Sequence, residues 1–245
     1  METLVGPTRL GACVFASIAI AAGVSRAAVV LPPSPNGGLH AVADRVHALA
    51  VLVHARALIA GRGGDGTLKV HEANSSATGV LIGEGLALTE LGAVVLTAPD
   101  GRKEVATQIE IVVDDVGPIP AHVVVADAAL DIAVLRLPDE ARTLSGAAFA
   151  PADPDVGDAT LAIGVRGDTL DVLEARITRV DSADDGTHRL RTDRSLPTPF
   201  WGGPLFDTQG HLAGLNTAPV GAGGTAVPAS VLRSVVSRIL AAAVP

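Results

Sequence analysis

From Leu49 to Leu137 and again from Leu161 to Ala226, the chain runs in short stretches of Val, Ile, Leu and Thr. Gly, Pro and Asp interrupt them every few residues. This rhythm reads as strands closing into a barrel, and it occurs twice. The intervening stretch, residues 138–155, carries Pro138, Gly146, Pro151 and Pro154 and reads as the connection between the two barrels. Helical spacing appears only at the ends. Val42, Val46 and Leu49 define one near the start, and Val231, Val235, Ile239 and Leu240 an inward stripe near the end. The expected fold is therefore all-β, two barrels flanked by a short N-terminal and a C-terminal helix.

The N-terminus has a different character. Arg9 precedes an apolar run from Leu10 to Val24, followed by small residues around Ala27 and Ala28 and then by a Pro/Gly stretch. This reads as a secretory signal peptide at 1–28 and a linker at 29–38. Export to the periplasm or the exterior is expected, with an uncleaved membrane anchor as the alternative. Leu10-Gly11-Ala12-Cys13 has the look of a lipidation site, but its apolar run lies after the cysteine. Cys13 is the only cysteine, so the mature chain has no disulfide. The remaining divisions are 39–143 for the first barrel, 144–227 for the second and 228–245 for the C-terminal helix. With a formal charge of −8 and no basic patch, nucleic acid is not an expected partner.

One heptad carries most of the functional information. Pro199-Phe200-Trp201-Gly202-Gly203-Pro204-Leu205 resembles the nucleophile loop of trypsin-like serine proteases, G-N-S-G-G-P-L. Other segments in collinear order resemble the HtrA-type (Do-like) bacterial branch over residues 39–243. They include Thr78–Ile82 with Gly85–Thr89, Asp131–Leu135, Arg191–Asp193, Gly214–Ala218 and Ala226–Ala229. The resemblance implies a chymotrypsin-like double β-barrel, and it also locates the catalytic positions. Trp201 stands at the nucleophile, where an indole offers no nucleophilic oxygen. Gly92 stands at the base, Asp131 at the orienting carboxylate, and Pro199, which has no N–H, at one oxyanion-hole donor. Only the carboxylate is kept. No PDZ-like domain follows, so docking through one is not expected.

The resemblance thus implies a protease homologue without catalysis, which binds a peptide or protein partner or regulates an active relative. Phe200, Trp201, Gly202, Gly203 and Phe206 are the binding candidates, because three of the chain's five aromatic residues fall there. Trp201 has two readings: a plug in the vacant cleft, or an exposed anchor. The rival functions are a hydrolase with a relocated site and a structural envelope protein. For relocation, Ser75, Ser76 and Ser195 and the scattered His54, His71, His122, His188 and His211 are the raw material. His40 and His47 share helical spacing, but no metal-binding motif occurs, and no metal or other cofactor is expected.

Overall fold

The computed structural model describes residues 37–62, 67–98, 100–182, 188–219 and 221–242. The signal-peptide expectation and residues 29–36 of the linker lie outside this set. Gly37 and Gly38 open the first helix, α1 (Gly37–Val46), and a 3-10 turn (His47–Leu49) follows it. Three strands come next: β1 (Ala50–Arg62), β2 (Leu68–Gly83) and β3 (Leu86–Glu90). A side ladder pairs β4 (Val95–Thr97) with β5 (Lys103–Val105). The first barrel is completed by β6 (Gln108–Val113), β7 (Gly117–Asp127) and β8 (Ile132–Arg136). It closes in the order β1-β2-β3-β8-β7-β6, with every pairing antiparallel.

A connection with one 3-10 turn (Asp139–Thr143) leads to the second barrel. Its strands are β9 (Ala159–Arg166), β10 (Thr169–Ser182), β11 (His188–Thr192), β12 (Pro204–Phe206), β13 (Leu212–Thr217) and β14 (Gly224–Pro228), closed as β10-β11-β14-β13-β12-β9. Closure leaves no sheet edge in either barrel body. The chain ends in α2 (Ala229–Ala242). The fold is chymotrypsin-like, and the flanking helices are where the periodicity put them.

Each barrel fills its own interior. Val51, Val53, Leu81, Ile111 and Leu135 pack in the first, and Ile177, Leu190, Leu196, Phe200 and Leu205 in the second. The largest cluster lies between them. Leu52, Leu88 and Ile132 of the first barrel meet Ile163, Leu215 and Val227 of the second, and both helices cover this seam. This accounts for β3, whose residues Leu86 to Thr89 are all buried: one face lines a barrel and the other lines the seam. Strands buried on both faces lose the apolar–polar alternation and read as continuous apolar runs.

The terminal helix packs the expected stripe against the core but turned slightly: Val235 is buried with Ala229, Leu232 and Val236, while Val231, Ile239 and Leu240 pack against the same core partly buried. The helix starts directly from β14, with Asp153 accepting the Ser230 N–H at 2.9 Å. That start sets Leu232, three residues after Ala229, on the inner face. No described helix is long and apolar enough to cross a membrane.

Candidate functional site at the barrel seam

The heptad forms a tight loop where the barrels meet. Pro197 leads into a 3-10 turn, Thr198–Phe200, with Pro199 in its first positions. The turn closes on itself: Phe200 N–H donates to the Pro197 carbonyl at 2.9 Å and Trp201 N–H to the Thr198 carbonyl at 3.1 Å. The main-chain N–H of Trp201 is therefore used within the turn. The indole is half-buried, and its Nε1–H donates to the Leu196 carbonyl at 2.8 Å. That bond fixes the ring against the segment leading into the loop.

Gly202 brings the loop onto the first barrel. Its φ is +77°, and its N–H donates to the Asn216 carbonyl at 2.7 Å. A Cβ here would lie 2.4 Å from the Thr78 carbonyl oxygen and 2.7 Å from the Glu90 nitrogen. Only glycine allows two backbones to approach so closely. Thr78 binds the other side of the same joint. Its wholly buried hydroxyl accepts the Val165 N–H at 2.7 Å and donates to the Pro199 carbonyl at 2.5 Å. Thr89 donates its hydroxyl to the Thr78 carbonyl at 2.7 Å. The two threonines thus join β2, β3, β9 and the loop. Buried hydroxyls in apolar surroundings need such partners.

The binding candidates separate by burial. Phe200 is 5% exposed, and Phe206, Gly202 and Gly203 are buried as well. Phe200 belongs to the second barrel's interior and Phe206 to the seam core. Of the binding candidates, Phe200 and Phe206 are core residues, which does not fit the reading of an exposed aromatic anchor for either. Trp201 is the aromatic residue of the loop that keeps an accessible edge. Asn216 is buried behind the loop, donating from Nδ2 to the Pro204 carbonyl at 3.1 Å while its Oδ1 has no partner.

Across the seam lie Gly92, Asp131 and a residue that the sequence did not single out, Glu90. Asp131 occupies the β7–β8 turn at φ +56°. Its main-chain carbonyl accepts the Leu91 N–H at 3.2 Å. Burial raises its carboxyl pKa, partly opposed by the nearby Arg189 guanidinium and by a hydrogen bond from the Ala218 backbone. Gly92 sits exposed in the 3-10 turn Leu91–Ala93, and a Cβ there would meet only the Glu90 carboxyl, 3.9 Å away. Burial, and then the charge of Asp131, push the Glu90 carboxyl up to about 7. Among the described residues its carboxyl has no hydrogen bond or ion pair. The sequence signal that could have found it is an acid closing an otherwise apolar strand, Leu-Ala-Leu-Thr-Glu.

The other candidates lie away from the loop. The register of the first barrel pairs His54 with Ser76 on β2 and with Glu110 on β6. The three share the outer sheet face, beside a depression of about 310 Å³ lined by Arg56, Glu72 and Asn74 among others. Ser195 is exposed in the segment before the heptad. His47 Nδ1 lies 2.9 Å from the Asp44 carbonyl at the end of α1. No group of three or more metal-ligating side chains gathers among the described residues.

A family model described as the trypsin-like peptidase domain matches residues 77–215, more than half of the chain. Among solved structures, a serine endoprotease from Yersinia pestis matches with a TM-score of 0.62 and 24% identity, over 84% of this chain and 67% of that one. At that identity the likeness speaks for the fold alone. A search of curated proteins found no match.

Proposed function

The chain belongs to the family of trypsin-like peptidase domains, and from that premise we propose that it is an exported, non-catalytic member. On this reading it holds an extended peptide or a protein partner at the cleft between its barrels, or regulates an active relative. The resemblance carries the reading, since it sets Trp201 at the nucleophile's place in the heptad, and the indole is tied to Leu196. Acyl transfer needs a nucleophile, a base and an oxyanion hole. Gly92 supplies no base and Pro199 no N–H, and the Trp201 N–H is bonded to Thr198. Removing one oxyanion donor alone typically costs about 10²–10³ in rate. Asp131 by itself orients nothing and takes no proton from a nucleophile.

The ligand class rests on the accessible edge of the indole. Aromatic side chains supply contact area at little entropic cost and are enriched at interface hot spots. The test is a binding measurement with a library of extended peptides on the mature protein. Binding that is lost in Trp201→Ala while the fold persists is the expected result. Binding unchanged by that substitution would move the ligand site elsewhere.

One observation favours the relocated hydrolase: Ser76, His54 and Glu110 lie side by side on one sheet face. However, His54 forms no hydrogen bond with Ser76 among the described residues, and a paired sheet leaves few N–H groups for an oxyanion. The non-catalytic reading therefore stands first.

A further inference from the structure

A bulge in β7 turns the end of that strand toward the C-terminal helix. Ile119, Ala121 and Val123 pack against the interior of the first barrel. Regular alternation would send Val125 and Asp127 the same way. The ladder to β8 instead slips by one residue, pairing Val123 with Leu135 but Val125 with Val134. Val124 and Val125 therefore both pack on the seam core. Asp127, opposite the seam residue Ile132, takes the same side. Bulges re-aim side chains in this way. Facing them, α2 brings Val235, Arg238, Ile239 and Ala242, and a groove of about 470 Å³ lies between strand and helix.

The groove has an apolar floor and two opposite charges that do not meet. Val124, Val125 and Ile239 are only partly buried, so each still offers apolar surface. Asp127 accepts the Ala129 and Leu130 N–H groups on Oδ1, both at 3.0 Å. Those bonds fix the carboxylate, and Oδ2 has no partner among the described residues. Arg238 is exposed and donates from Nε to the Ser234 carbonyl at 3.3 Å, which lays the guanidinium along the helix. Its two terminal nitrogens have no partner among the described residues. Neither Asp127 nor Arg238 takes part in an ion pair there, with the other or with a third group.

We propose that this groove is a second binding site, to which the Trp201 loop contributes no residue, for short apolar peptides with both termini free. The argument for that occupant is charge complementarity. The Arg238 guanidinium takes the terminal carboxylate, in the charge-assisted pairing that this group favours. Asp127 Oδ2 accepts from the terminal ammonium, and the peptide's side chains lie on Val124, Val125 and Ile239. Val235 to Ala242 covers about 10 Å of helix, the reach of about three extended residues. A fatty acid would satisfy Arg238 and the floor but would leave Asp127 against apolar chain, where a carboxylate loses water without gaining a donor. A ligand with an apolar middle and opposite charged ends meets all three features. The site does not depend on whether the protein is catalytic, nor on what Trp201 holds.

The test titrates the folded protein with Val-Val-Val, its N-acetyl form, its C-terminal amide and decanoate, followed by ¹³C-methyl NMR and by the emission of Trp201. The free peptide is expected to shift the methyl signals of Val124, Val125 and Ile239 and to leave the Trp201 emission unchanged. Capping either end is expected to weaken binding about three- to fivefold, the worth of one exposed ion pair. Asp127→Asn, which keeps the Oδ1 acceptor, should weaken the free peptide by a similar factor and leave the N-acetyl form unaffected. Arg238→Gln should do the same for the free peptide and spare the amide. If a variant does not fold, the capped peptides test the same two charges on the unaltered protein. Absence of these methyl shifts would overturn the proposal, as would equal binding of free and capped peptides. Decanoate binding as tightly as the free peptide would assign the groove to an acyl chain instead. A peptide-induced change in Trp201 emission without the groove shifts would move the binding to the cleft, and would equally refute the second site.

Discussion

Gly202 shows how much of the site depends on a single missing atom. Its positive φ already disfavours any side chain, and a Cβ would lie 2.4 Å from the Thr78 carbonyl. Gly202→Ala is therefore expected to cost about 4 kcal/mol or more, read as lost soluble yield or a collapsed denaturation midpoint. Glu90 lies at the same joint, its main-chain nitrogen against Gly202. The native state binds its carboxyl proton more tightly than the unfolded chain, whose glutamate titrates near 4.5. The stability it contributes is full below that value, falls as pH rises toward about 7, and is flat beyond. Urea midpoints measured across pH should show this decline in the wild type. Glu90→Gln should be on the order of 2 kcal/mol more stable than wild type at pH 8, with no such advantage at pH 4. A Glu90→Gln variant no more stable than wild type at pH 8 would contradict the buried-acid account. Neither residue's role was legible from local sequence. The glycine was visible as part of a loop, but its contact with Thr78 spans more than a hundred residues, and the burial of Glu90 is set by a second barrel.

Among the elements, the sequence was clearest where one face meets solvent and least clear where both are covered. β6 alternates exposed and buried residues along Gln108–Val113, as its sequence does. β3 does not alternate, because the seam buries its second face. The C-terminal helix was legible as a helix, but the rotation of its stripe was not, since the first turn is set by Asp153 on a distant connection. The difference is testable. Leu232→Ala removes a fully buried side chain from the seam core and should cost about 2–5 kcal/mol, against about 1 kcal/mol for the partly buried Ile239. Equal costs in thermal or chemical denaturation would mean that the helix sits with the stripe read from its spacing.

At the scale of the molecule, two closed barrels put the site at their junction, held from both sides. The first barrel brings Thr78, Glu90, Gly92 and Asp131; the second brings the Trp201 loop, Arg189 and the Ala218 backbone. Such a scaffold holds its loops whether or not they perform chemistry, so the fold by itself does not decide activity. The double barrel was legible from strand rhythm and from the order of short motifs. The fate of the loop's aromatic residues was not, because a segment carrying Phe and Trp reads alike whether it projects or packs; of Phe200, Trp201 and Phe206, Trp201 keeps an accessible edge.

The central claim is that this peptidase scaffold carries no acyl-transfer chemistry. It is tested most directly by exposing the folded mature protein to a fluorophosphonate serine probe and a fluorogenic peptide library, then recording the intact mass. The expected result is an unchanged mass and no turnover above buffer. A covalent adduct accompanied by turnover would contradict the claim, and mapping it to Ser76 would place the chemistry on the outer face of the first barrel.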